Sequence, residues 1–220
     1  GEATLNKLHP DGFKHFQHSL RVVDHLEKKG RGLNLTWEVR NGIICHSKGR
    51  DEILPRNGPG VAETLEGQVV RLADIVAYVN HDLDDAVRAG LLQDEDIPAS
   101  ITRVVGSSHA QRIGSMVRDI IVETLTANNG NLHISEPMLE AIDELRSFLY
   151  DNVYRNQLVH REFEKAQRII TEMYGYFMTH GLVKRAGDDW TIAIALAHLA
   201  FWDQRSLFLL RKWKKSGKVE

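Results

Sequence analysis

The 220-residue chain is predicted to be all-α, with a multi-helix bundle extended by further helices toward the C-terminus. Three observations lead there. Apolar residues recur at helical spacing through several long stretches, the breaks between these stretches carry Gly, Pro or Asn, and no segment pair alternates as half-buried strands do. There is no internal repeat, and the length suffices for one substantial core.

The first clear helix is expected over residues 13–29, with Leu20, Val22, Val23 and Leu26 as its apolar contacts. Asp11-Gly12 signals its start and Gly30 to Gly32 its stop. Thr36 is a plausible N-cap for a second helix running to His46. Ser47 to Ala62, with Pro55, Gly58, Pro59 and Gly60, reads as a loop bordering a cleft. A long helix over 65–89 stops at Gly90, and Asp96-Ile97-Pro98 opens a short one. Ser107 to Ala127 is amphipathic and ends at Asn128-Asn129-Gly130. Ser135-Glu136-Pro137 starts a helix over 136–152, because proline costs least in a first turn. Helices over 160–179 and 189–213 complete the chain.

Composition excludes several classes. With 42% hydrophobic and 26% charged residues and a formal charge of -2, nothing pulls the whole chain toward nucleic acid, so anion binding must be local. Cys45 is the single cysteine, which rules out an intrachain disulfide and fits a reducing cytoplasm. No run of about 18 apolar residues is present, which argues against a membrane span. A polar N-terminus argues against a signal peptide.

The chemistry concentrates in LADIVAYVNHDLDD, Leu72 to Asp85. At about 3.6 residues per turn, Asp74, Tyr78 and Asp82 fall on successive turns of one stripe, joined by His81 and Asp85. Leu72, Ile75, Val76, Val79 and Leu83 take the other side. A solvated acidic face would show the same pattern, so the stripe alone leaves both readings open. Asp84 and Asp85 suit pairing with Arg88.

Gly1-Glu2-Ala3, GFKHFQHSLRVV (Gly12 to Val23), GLNLTWEVRNGIICHS (Gly32 to Ser47) and TLEGQVVRLADIVAYVNHDLDDAVRAGLL (Thr64 to Leu92) occur in one order. Together they resemble the deoxyguanosine-triphosphate triphosphohydrolase-like branch of the HD phosphohydrolase superfamily. The resemblance is strong over residues 1–92, weaker in FLYDNVYRNQLVHREFEKAQRII (Phe148 to Ile170), and nearly fades beyond Asp188. It implies that 1–92 form the C-terminal part of an HD core and 93–220 a helical extension packed on it. The family's first metal-binding His, its His-Asp pair and the His of a Gly-His-x-Gly-Glu run precede the point where this sequence begins, and Gly1-Glu2 resembles the tail of that run. The expectation is a chain that is catalytically incomplete by itself.

The resemblance assigns roles. Asp74 matches the last ligand of a divalent metal, magnesium, manganese or similar, for which a carboxylate offers a hard oxygen. Tyr78 and Asp82 match residues that face the deoxyribose, the ring closing the space of a 2′-hydroxyl and the carboxylate accepting from the 3′-hydroxyl. Glu2 and His15 match candidates for proton chemistry and phosphate contact, although Phe16 and His18 depart from the family's Asn and Gln. His46 occupies a phosphate-side position where Cys45 replaces a usual Lys. Cys45 reads as a small buried residue, and His18, Arg21, Lys48 and Arg50 are candidates to compensate. Arg205, beside Asp203, is assigned to a phosphate. RKWKKSGK (Arg211 to Lys218) reads better as a solvated helix end than as a nucleic-acid contact.

The implied function is metal-dependent hydrolysis of deoxynucleoside triphosphates to deoxynucleoside and inorganic triphosphate. The alternative is a catalytically inactive nucleotide-sensing or assembly module, favoured by Phe16, Cys45 and the altered C-terminal segment. The apolar stripe Ile113, Met116, Val117, Ile120 and Ile121, with Phe148, Phe163, Tyr174, Phe177, Phe201, Trp202 and Phe208, suits a single intramolecular core as well as a subunit interface, and it is the family resemblance that implies a homo-oligomer.

Overall fold

The structure, a computed structural model, describes residues 1–47, 52–55, 58 and 60–180. The described residues form α-helices and tight turns with no strand, as the periodicity predicts. Lys48, Arg50, Asp203, Arg205, the aromatics Phe201, Trp202 and Phe208, the expected helix over 189–213 and the basic tail lie outside the described residues.

The chain divides into two compact units, Gly1–Leu35 with Arg161–Glu220, and Thr36–His160. In the first, α1 (Glu2–Leu8) precedes α2 (His15–Arg21), which widens into a π turn at Val22–Leu26. The expected helix over 13–29 is therefore shorter, and α1 ahead of it was not anticipated. Lys28 and Lys29 adopt left-handed backbone conformations, ending the helical path before Gly30. Gly32 follows with φ +70, where an added Cβ would lie 2.0 Å from the Asp24 carbonyl oxygen. Leu5, Phe13 and Ile170 make this unit's core, with Leu8, Met173 and Tyr174 packed around them.

The second unit contains α3 (Trp37–Cys45), α4 (Leu65–Arg88), α5 (Ala99–Val105), α6 (His109–Ala127) and α7 (Glu136–Leu149). A π turn at Tyr150–Tyr154 then leads into α8 (Gln157–His180), which belongs to the first unit from Arg161 onward. The helix expected over 136–152 thus stops at Leu149. Helix α4 is central to the unit, with α3, α6 and α7 packed on it, while α5 packs against α6 and α7.

Local chemistry explains α4's ends. The Thr64 side chain accepts from the Gly67 amide at 3.2 Å, a cap for an otherwise orphaned donor, and Gly90 follows the last turn with φ +70. Its apolar side behaves as the periodicity requires, since Leu72, Ile75, Val76, Val79 and Leu83 are all buried. Where α3 crosses α4, Gly42 meets Gly67 so closely that a Cβ on Gly67 would lie 3.1 Å from the Gly42 Cα. Across the core, Arg112 Nε donates to Asn80 Oδ1 at 3.1 Å and Arg112 Nη1 donates to the Ser107 carbonyl at 2.8 Å. Both side chains are buried, and their mutual pairing offsets the cost of taking a guanidinium and an amide out of water.

The α6 stripe divides. Met116 is fully buried and Ile113 and Ile120 pack on the core, whereas Val117 and Ile121 stay exposed. Among the described residues no helix is long and apolar enough to cross a membrane.

Candidate functional site

The polar edge of α4 runs from exposed Asp74 through half-buried Tyr78 to half-buried Asp82. The two deeper residues are engaged by the far end of the same unit. Arg146, on α7, donates from Nε to the Tyr78 hydroxyl at 2.8 Å and bridges from Nη1 to Asp143 at 3.1 Å. Tyr154, at the end of the π turn, donates its hydroxyl to Asp82 Oδ2 in a very close contact.

Electrostatics follow burial. Desolvation pushes the Tyr78 phenol above its ordinary range, opposed by the charge and hydrogen bond of Arg146. Desolvation likewise raises the Asp82 carboxyl, the Tyr154 bond pulls it down, and the neighbouring Asp85 raises it further. This edge therefore combines a neutral phenol wall with a carboxylate whose ionisation is costly. Asp84 pairs with Arg88 at 2.7 Å, as the spacing predicts, and takes no part in the edge contacts.

His46 follows α3, its Nδ1 2.6 Å from the Ile43 carbonyl oxygen. A carbonyl only accepts, so Nδ1 carries the proton in this bond. Cys45 beside it is buried, matching the small-residue reading. Arg71, three residues before Asp74, was not singled out from the sequence. Its Nη2 donates to the Glu52 carbonyl at 2.8 Å while Ile53 enters the core, so this residue and Ile53 together fasten the loop before α4.

Glu2 and His15 come together within the first unit. The Glu2 carboxylate accepts from the His15 amide at 3.1 Å and meets the ring at Nδ1, with Lys14 Nζ 3.8 Å away. Burial pushes the Glu2 carboxyl up, but the bonds and charge of His15 and the charge of Lys14 outweigh it and hold it below its ordinary value. His15 starts α2, so Glu2 also satisfies one of that helix's orphan amides. His18 stacks on Phe13 with ring centroids 4.2 Å apart, and burial lowers its pKa. That placement favours a packing role over phosphate contact.

Sequence reading passed over Arg146 and Tyr154. Tyr154 lay in the weakly matching Phe148 to Ile170 stretch, where aromatic and basic residues were the available signal. His109, the first residue of α6, has a buried Nδ1 without a hydrogen-bond partner among the described residues, and its ring centroid lies 5.3 Å from that of His81.

Phosphohydrolases of the HD type use a divalent metal generally. Among the described residues no three His, Cys, Asp or Glu side chains converge to hold one. Asp74 is one exposed carboxylate, and by themselves these residues do not fit the ion.

A family described as the phosphohydrolase-associated domain matches residues 132–191, which include α7, the Tyr154 turn and all of α8. The helical fold and that match define the class, a chain carrying a domain associated with phosphohydrolases. The chain is 45% identical over 182 residues to a deoxyguanosinetriphosphate triphosphohydrolase-like protein of Desulfatibacillum aliphaticivorans, covering 82% of this chain and 52% of that protein. Proteins of the same description from Caldanaerobacter subterraneus subsp. tengcongensis and Clostridium tetani are 43% and 42% identical, over 80% and 81% of this chain and 49% and 51% of theirs. The chain belongs to this deoxyguanosinetriphosphate triphosphohydrolase-like family. It spans about half the length of the curated relatives it matches.

Proposed function

We propose that the gene product carrying this chain hydrolyses deoxynucleoside triphosphates to a deoxynucleoside and inorganic triphosphate, with the polar edge of α4 reading the sugar. Water attacks the α-phosphorus, the bond to the 5′ oxygen breaks, and that oxygen leaves protonated with the deoxynucleoside. The observation that carries the sugar reading is the pairing of a half-buried phenol and a half-buried carboxylate one turn apart, each held by a side chain from the far end of the unit. A fixed aromatic wall excludes an added 2′-hydroxyl, and a buried acceptor penalises a sugar that lacks its donor.

The remaining roles follow the family pattern. Asp74 offers one oxygen ligand to the divalent ion, His46 and Arg205 serve the phosphates, and Glu2 and His15 serve proton transfer. Val117, Ile121 and Leu125, left exposed on α6, support self-association as a homo-oligomer. The single cysteine supports a reducing, cytoplasmic setting.

The test is product analysis with the full gene product, supplied with Mn²⁺ or Mg²⁺ and each deoxynucleoside triphosphate. Inorganic triphosphate is the expected product, Asp74→Ala abolishes its release, and Tyr78→Ala lowers the dGTP-to-GTP preference. Pyrophosphate as the product, or full turnover by Asp74→Ala, overturns the reading. Nucleotide binding without any hydrolysis supports the sensing module instead.

A further inference from the structure

We propose that Tyr154 is a positioning residue that fixes Asp82 for recognition of a 3′-hydroxyl, its own hydroxyl taking Oδ2 so that Oδ1 is presented to the sugar. The assignment rests on the sugar-facing reading of Asp82.

An ionised carboxylate only accepts hydrogen bonds, whereas a protonated one also donates. Only the first form discriminates strictly for a sugar hydroxyl donor. Asp82 is half-buried, with Asp85 beside it on α4, and both conditions favour protonation. The groups acting against protonation are the hydroxyl of Tyr154 and the charge of His81. A hydroxyl donating to a carboxylate is a short, charge-assisted bond, and it fixes the carboxylate's rotation as well as its charge. Tyr154 therefore does for Asp82 what packing alone cannot.

The backbone is shaped for this contact. Leu149 is fully buried at the end of α7, and on a continuing α-helix Tyr154 would lie about 140° around the axis from it. Instead the Arg155 amide donates to the Tyr150 carbonyl at 3.1 Å, a five-residue closure that keeps Leu149 and Tyr154 on one side. Val153 is buried and Tyr154 packs against the same core, so the wide turn serves both the interior and Asp82. A regular helix would supply one or the other.

The experiment uses the full gene product with dGTP and its 2′,3′-dideoxy analogue, comparing kcat/KM for the wild type, Tyr154→Phe, Asp82→Asn and the double variant. The wild type prefers dGTP, and Tyr154→Phe loses about tenfold of that preference, the worth of one such bond. Its acidic limb of kcat/KM for dGTP moves to higher pH. In the Asp82→Asn background, Tyr154→Phe changes the ratio no further, because the two act through one interaction. An unchanged ratio, or equal loss for both substrates with melting temperature retained, overturns the role of Tyr154. A wild type indifferent to the 3′-hydroxyl instead overturns the sugar-facing reading of Asp82 on which it stands.

Discussion

Arg146 Nε and the Tyr78 hydroxyl meet at 2.8 Å, linking residues 68 apart in sequence and tying α7 to the middle of the polar edge of α4. The Arg146 side chain is nearly enclosed, and its loss leaves the phenol without a charged partner. Arg146→Ala is expected to cost about 1.5–3 kcal/mol, the usual worth of a hydrogen bond to a charged group. Urea unfolding of Arg146→Ala, Tyr78→Phe and the double variant checks this, and strict additivity would show that the bond carries nothing.

Asp82 predicts a pH signature in stability. Burial raises its carboxyl in the folded state, so between the ordinary and the raised value the folded chain binds more protons than the unfolded one. This group's contribution therefore becomes less favourable as pH rises through the folded-state value and is relieved as pH falls back through it. Asp82→Asn, which keeps an acceptor for Tyr154, is expected to raise the melting temperature at neutral pH and to lose that advantage in acid. Thermal melts of both proteins across pH 4 to 8, taken as roughly the range in which such carboxyls titrate, decide it, a constant difference being the adverse result.

Two glycines should respond in opposite directions. Alanine at Gly67 would set its Cβ 2.6 Å from the Ala62 Cβ and 3.1 Å from the Gly42 Cα, so overpacking of about 1–3 kcal/mol outweighs the helix-propensity gain. Gly114, on α6, has nothing within 4 Å of the added Cβ, and alanine there is expected to stabilise by about 0.5–1 kcal/mol. Denaturant midpoints with unchanged slopes measure both, and a stabilised Gly67→Ala would refute the close crossing.

The sequence by itself determined α4: its apolar side, the stripe of Asp74, Tyr78 and Asp82, and the Gly90 stop. These depend on helical period and on bonds within a few residues, which local order records directly. The same reasoning anticipated the Arg88 pairing and the burial of Cys45. Tertiary structure decided who meets the stripe. Arg146 and Tyr154 reach it from 68 and 72 residues away, and Tyr154 does so only because a π turn alters the helical phase that sequence spacing would assign it. It also decided that Met116 enters the core while Val117 beside it does not, because apolar spacing records a preference for burial and only packing supplies the surface that satisfies it.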